Sequence, residues 1–460
     1  MEFREDTTAI DTKYSQGVER RMARAQVVHD KAMGLLKKGI WLYILLLMFE
    51  GALRKWGLPA LAAPLLIVRD PVAIALLFVS AKHGLFPSNN YVWTMILVAI
   101  LAFFIAITIG HGSLTVAVYG TRILILHFPL MFLIGKIFDH DDVIKVGKFM
   151  LYLSIPMLLL IAVQFYSPQS ALVNRGVGGD IQGGGFAGAL GFFRPPGTFS
   201  FTSGNTQFWS VVGVFVTYFW LNNSGVNKIL LIAATFCVIA SIPLSISRTL
   251  IFQIVITVTF ALLSVSRSPK HLGQMLGGLV LVIIAVALLN NFSFFQQASE
   301  ALVTRYSAAS DSEGGLEGTL GNRFLGGLLG ALQQDNQPFF GYGIGMGTNV
   351  GARLLTGNVD SFLIAEEDWG RLVGELGRIM GIIVIVLRVW FCVRAAWLSY
   401  KQLTQHNVLP WIILSMAFVF IAQSQWAQPT TLGFSTLIGG LLIASLKTYM
   451  PEAEAEEDQE

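Results

Sequence analysis

The sequence predicts an all-α, polytopic membrane protein of about twelve transmembrane helices, and three observations carry that reading. Of its 460 residues, 54% are hydrophobic and only 13% charged, with a mean hydropathy of +0.63, far from the balance of soluble domains. Apolar runs of roughly 17 to 25 residues, the length that crosses about 30 Å of hydrocarbon, recur along nearly the whole chain. The charges that remain are sorted by type between the connecting segments.

Spans are expected at residues 39–57, 61–80, 91–110, 114–135, 147–166, 206–222, 228–246, 248–266, 271–290, 371–393, 409–427 and 430–447. Residues 1–38 are polar and mixed in charge, so the chain is expected to open with a cytoplasmic segment rather than a cleavable signal peptide. Arg20, Arg21, Arg24, Lys31, Lys37 and Lys38 hold that end in the cytoplasm by the positive-inside rule. An even number of spans returns the C-terminus to the same side of the membrane. The membrane domain then covers 39–447, and residues 448–460, ending PEAEAEEDQE, form a solvated acidic tail.

On this topology Lys82, Lys136, Lys145, Lys148, Lys228, Lys270, Lys401 and Lys447 are cytoplasmic, with Lys55 the one exception. Arg175, Arg194, Arg248, Arg305, Arg323, Arg353 and Arg371 map to the opposite face. Arginine grips phosphate and carboxylate through a planar fork, whereas lysine acts as a point charge. As a set these arginines point to an anionic ligand; taken singly, each has loop carboxylates or lipid headgroups as an alternative partner.

Two outer segments, 167–205 and 291–370, exceed ordinary loop length, and function is expected there. The first carries GVGGDIQGGGFAGALGFF, read as a flexible segment at the membrane surface, followed by FFRPPGTFS around Arg194. Pro195 and Pro196 keep that backbone extended and delay the next helix. The second opens with FSFFQQASEALVTRY, where Phe292, Phe295, Leu302 and Tyr306 fall near one helical face; it reads as an interfacial amphipathic helix that lays Arg305 near the headgroups.

Charges inside spans are costly and call for partners. Glu50 and Arg54 in FEGALRKW are spaced to pair on one helix face, and Arg69 and Asp70 precede Pro71, so these read first as structural ion pairs. Arg122 in YGTRILILHF has no acid three or four residues away, which leaves it a lipid phosphate or a partner on another helix. His127 reads as a satisfied buried histidine.

Several chemistries find no support. Cys237 and Cys392 both lie in apolar runs, and the seven histidines form no metal-spacing pair, so neither a disulfide framework nor a metal or other cofactor is expected. There is no G-x-S-x-G elbow. The string GYGIGMG, Gly341 to Gly347, lacks the register of a nucleotide loop and a Walker lysine; it reads as a tight turn of close backbone approach. No nucleic-acid partner is expected.

What remains on the outer face is Arg194, Arg248 in SISRTLIF, Arg323 in GTLGNRFLGGLLGAL, and the acids of AEEDWGRLVGELG. Arginines can neutralise a diphosphate leaving group, and Glu366 or Glu367 can take the proton of an attacking sugar hydroxyl. Those are the parts of a metal-independent glycosyl transfer, inverting when displacement is direct.

In the order FEGALRKW, IVRDP, YGTRIL, RPPGTFSFTSGN, SISRTLIF, GNRFLGGLLGAL, GYGIGMG and EEDWGRLVGELGRIMG, spread over residues 49 to 381, the chain resembles the bacterial O-antigen ligase/polymerase superfamily. It resembles Wzy-type polysaccharide polymerases more than WaaL-type ligases. Ligases usually carry a His-Asn about nine residues before the E-L-G glutamate; counting back from Glu375 gives Glu366 and Glu367. The resemblance implies a GT-C-like glycosyltransferase that polymerises repeat units of O-antigen or exopolysaccharide. Its donor and acceptor would be undecaprenyl-diphosphate-linked oligosaccharides, and flippase and chain-length regulator proteins would be its partners, with membrane lipids around it. Arg194 and Arg323 would be catalytic with Glu366 or Glu367, and Arg248, Arg305 and Arg122 would bind the lipid diphosphate. Transfer to a lipid or protein acceptor is one alternative. A transporter or flippase lined by Glu50, Arg69, Asp70 and Arg122 is another.

Overall fold

The computed structural model describes residues 5–222, 225–266, 269–313, 326–333, 337–357, 364–365 and 367–447. Arg323, Glu366 and the acidic tail from 448 lie outside them. The described chain is nearly all-helical, and eight of its helices are long and apolar enough to cross a membrane.

The order is α1 (Glu5–Ala52), α2 (Ala62–Leu65), α3 (Arg69–Lys82), α4 (Asn90–Thr108), α5 (Leu114–Arg122), α6 (Phe128–Ile137) and α7 (His140–Tyr166). After a loop come the strands β1 (Phe186–Ala189) and β2 (Phe192–Arg194), then α8 (Thr202–Leu221), α9 (Lys228–Ser245), α10 (Arg248–Val265), α11 (Pro269–Leu289) and α12 (Ser293–Glu313). Two short helices, α13 (Gly327–Gln333) and α14 (Asn349–Thr356), precede α15 (Asp368–Thr404), α16 (Leu409–Ala422) and α17 (Pro429–Ser445). A helix stands at each of the twelve expected spans. Four of them, α8, α11, α16 and α17, are not among the eight candidates, and the last two have only 14 and 17 residues.

Local chemistry accounts for the helix ends. Asn89, Asp139, Asn227 and Ser247 each cap a helix by accepting a backbone N–H, and Asp139 forms a reciprocal capping box with Asp142. The expected span 61–80 is interrupted: Pro59 and Pro64 break it into a 3₁₀ turn and the short α2, while Pro71 is harmless in the first turn of α3. The polar N-terminal segment is helical from Glu5 and continuous with the first span.

Hydrogen bonds sort the helix ends into two sets. At one end Lys37 meets Asp139 and Asp142 at 2.7 and 2.5 Å, and Lys447 donates to the carbonyls of Lys136 and Phe138. At the other, Arg69 joins Glu50 at 2.9 Å and the Pro429 carbonyl at 2.6 Å, and Thr206 bonds Ser247 at 3.1 Å. Between the ends the core is apolar, built on residues such as Phe128, Met131, Phe208, Phe215, Phe434 and Leu437, all fully buried.

The FEGALRKW and RPPGTFS motifs explain each other. Gly51 lies under the second: a Cβ there would sit 2.4 Å from the Phe199 carbonyl carbon and 2.5 Å from the Thr198 oxygen. Gly51→Ala is therefore expected to lower stability by about 1–3 kcal/mol, because backbone rather than a flexible side chain must yield; the thermal midpoint of the detergent-solubilised protein measures it.

Candidate functional site: an arginine mouth over a clamped turn

The glycine-rich segment expected to be flexible instead folds into 3₁₀ turns and an antiparallel hairpin that pairs Phe186 with Arg194 and Ala187 with Phe193. Its two-residue loop, Leu190 and Gly191, has φ of 54° and 80°, the sign required by the turn that suits a twisted hairpin. Phe192 anchors the hairpin by stacking on Phe165 of α7, ring centroids 4.6 Å apart.

The RPPGTFS turn is clamped on several sides. Lys55 donates to the Gly197 carbonyl at 2.5 Å, and Gln164 accepts the Gly197 N–H at 2.8 Å. Thr198 donates to the Met48 carbonyl at 2.6 Å, Arg54 to Ser200 at 2.8 Å and Asn205 to the Pro195 carbonyl at 3.0 Å. Lys55, the exception among the lysines, is thus a buried strut and not a surface charge. Gln164 stands in no motif of the sequence, and Asn205, although it closes RPPGTFSFTSGN, is given no role there.

Three arginines from three elements meet over this turn. Arg194 ends β2. Arg248 opens α10, two residues after Ile246, and a Cβ on Gly188 of the hairpin would lie 2.7 Å from the Ile246 side chain. Arg305 reaches from α12 to the carbonyls of Ala187 and Gly188 at 3.1 and 3.3 Å. The stripe that seats α12 is Phe295, Ala298, Ala301 and Leu302; Phe292 and Tyr306, expected on the same face, are exposed. Arg194 is half-buried, its Nε has no hydrogen-bond partner, and among the described residues no carboxylate pairs with it. Burial, and then the Arg305 and Arg248 cations, push its guanidinium down to about 10. Three guanidiniums gathered at a helix N-terminus are of the chemistry that can hold a multiply charged anion.

The other charged residues singled out in the sequence lie elsewhere. Arg122 takes the second of the two partners open to it, one on another helix: its Nη1 bonds both oxygens of Asp70 at 2.8 and 2.9 Å, its guanidinium lies over Tyr119, and Nε and Nη2 have no hydrogen-bond partner among the described residues. Asp70 also bonds His127 at 3.0 Å, which bonds Tyr43 at 3.0 Å. Arg371, counted with the outer arginines, is fully buried between Asp368 and Glu375.

Glu367 precedes α15 and lines a cavity of about 630 Å³ with Gln337, Tyr342, Met346 and the glycines 330, 370 and 374. The GYGIGMG loop forms one side. Gly341, Gly343 and Gly345 all have positive φ, and the loop lies against the start of α15, which breaks its helical course at Gly377. That is the close approach the string implied.

No family model, curated protein or solved structure matches this chain. The functional reading therefore rests on the site itself.

Proposed function

We propose that the protein is a polymerase of surface polysaccharide, either O-antigen or exopolysaccharide. It would transfer a glycan from a polyprenyl diphosphate to the sugar hydroxyl of another lipid-linked unit at the outer face of a bacterial inner membrane. In this reading all twelve expected segments are spans in a GT-C-like arrangement, with both termini cytoplasmic. The observation that carries it is the arginine mouth: Arg194, Arg248 and Arg305 converge, and at the centre lies a half-buried guanidinium that no carboxylate among the described residues compensates. A diphosphate supplies the missing negative charge, and its charge grows as the glycosidic bond breaks, so the same groups favour the transition state over the ground state. Arg323, outside the described residues, is assigned the same role toward the donor diphosphate, and Glu366 or Glu367 takes the proton from the attacking hydroxyl.

Ligation to a separate acceptor uses the same mouth and is the second reading. For a transporter the charges of interest are Glu50, Arg69, Asp70 and Arg122, and these largely engage one another, which favours a structural role for them. The deciding experiment incubates purified protein with lipid-diphosphate repeat units. A ladder identifies a polymerase, and transfer only after a second acceptor is added identifies a ligase. The absence of any transfer, with movement of the lipid across proteoliposomes, identifies a transporter. In the same assay Glu366→Gln and Glu367→Gln combined are expected to slow elongation by about 10²–10⁴-fold, the usual worth of a general base; full activity in the double variant refutes the carboxylate mechanism.

A further inference from the structure

Away from the arginines, α1 and α3 enclose an open groove of about 460 Å³. Both helices belong to candidate membrane spans. They run antiparallel, since Glu50 meets Arg69 while Gly39 meets Leu76, where a Cβ on the glycine would lie 2.7 Å from Leu76 Cδ2. Leu36 and Leu76 are buried beneath the groove, whereas Leu35, Leu42 and Ala75 on its rim are exposed, so it opens on the surface that hydrocarbon covers.

The groove has the depth of one leaflet. From Val79 to Pro71 α3 advances about 12 Å at 1.5 Å per residue, against about 15 Å for half of a hydrocarbon core of about 30 Å. One end lies where Lys37 pairs with Asp139 and Asp142, and the other stops beside Asp70 and the buried ion pairs. Lys38 alone among the lining residues is charged or polar. Its neighbour Lys37 is taken by two carboxylates, but Lys38 is exposed and has no carboxylate partner among the described residues. A lysine stem lies along apolar surface while its ammonium reaches the polar boundary. An apolar trough half a bilayer deep with a spare cation at its mouth matches an amphiphile with a hydrocarbon chain and an anionic head.

We infer that this groove seats one acyl chain of an anionic phospholipid from the leaflet at the Lys37 end, with the headgroup phosphate held by Lys38. The seat does not depend on what the arginine mouth binds. A chain lying in it packs against the helix whose first turn carries Arg69 and Asp70, so the lipid braces α1 against α3 beneath that network.

Native mass spectrometry of the full-length protein, purified in detergent, stripped of lipid and then given phosphatidylglycerol or phosphatidylcholine at equal concentration, tests the seat. Wild type is expected to retain one phosphatidylglycerol, about fivefold in preference to phosphatidylcholine, the worth of one lysine near an anionic headgroup. Lys38→Gln should equalise the two lipids without moving the thermal midpoint of the lipid-free protein. Ala75→Trp fills the groove from an exposed position and should remove that one lipid, whereas Ile74→Trp, on exposed surface of the same helix outside the groove, should keep it. Arg194→Lys should keep it too. Absence of retention by wild type overturns the inference, as does a preference that survives Lys38→Gln or a lipid that survives Ala75→Trp. Equal loss in Ile74→Trp and Ala75→Trp marks an ordinary lipid annulus and overturns it as well. A dimer mass that Ala75→Trp alone disperses gives the groove to a second copy of the chain instead.

Discussion

Arg194→Lys is expected to cut polymer formation by at least about 100-fold, the cost of removing one preorganised donor to a developing negative charge, in protein that inserts and melts normally. The charge is conserved, so a purely electrostatic role would predict a mild effect. What is lost is the planar fork, and with it the buried Nε that has no hydrogen-bond partner among the described residues. A second readout separates catalysis from structure. Arg194 is desolvated and faces Arg305 and Arg248 with no counter-charge among the described residues, so its charge does not favour the ligand-free fold. Arg194→Met should therefore abolish the ladder while leaving the thermal midpoint at or above wild type, because exchanging an uncompensated buried charge for an apolar side chain is neutral or favourable. A structural arginine would show the opposite pattern. Unchanged polymer amount and length in Arg194→Lys would remove the residue from the mechanism.

The difference between what the sequence conveys and what only the structure shows follows the range of the interactions. Helices were legible because an apolar run of membrane length has one stable outcome, with its backbone bonds satisfied internally. The break in the expected span 61–80 at Pro59 and Pro64 was not anticipated although proline marks it locally, whereas the break at Gly377 has no local mark, since its non-helical backbone accommodates the loop bearing Gly341. The hairpin of Phe186–Arg194 escaped because each strand has three or four residues, its turn uses a leucine at positive φ, and a register irregularity between Ala187 and Ala189 disturbs the alternation that marks a strand. Polar contacts between distant segments were illegible in principle. Lys55 and Gly197 lie 142 positions apart, and Arg305 and Ala187 lie 118 apart. The lysine and arginine segregation was visible in the sequence, but it could not say which arginines converge. Arg371 and Arg194 look alike there; in the fold one is paired with two acids and the other with none among the described residues.

That contrast sets the second large expectation, which concerns the fold. Asp368→Asn is expected to destabilise the protein by about 3–5 kcal/mol, the penalty for breaking a buried ion pair on one side only, and to reduce the inserted, monodisperse fraction on size-exclusion chromatography. Asp368 is fully buried and serves several partners at once: Oδ1 takes Arg371 at 2.8 Å and the Trp426 N–H at 3.1 Å, and Oδ2 takes Arg388. Arg388 also donates to the Ile421 carbonyl at 2.6 Å and lies over the Trp426 ring at 4.3 Å, so this one carboxylate ties α15 to the end of α16 and the turn that follows. With asparagine there, Glu375 alone faces two buried guanidiniums, and the network carries one net positive charge. Removing the surplus cation tests the argument. Asp368→Asn combined with Arg388→Met restores charge balance while retaining the pair of Arg371 with Glu375, and should recover part of the lost midpoint despite being a second core substitution. If the double variant is less stable by the sum of the two single losses, the charges act independently and the network does not work as a unit.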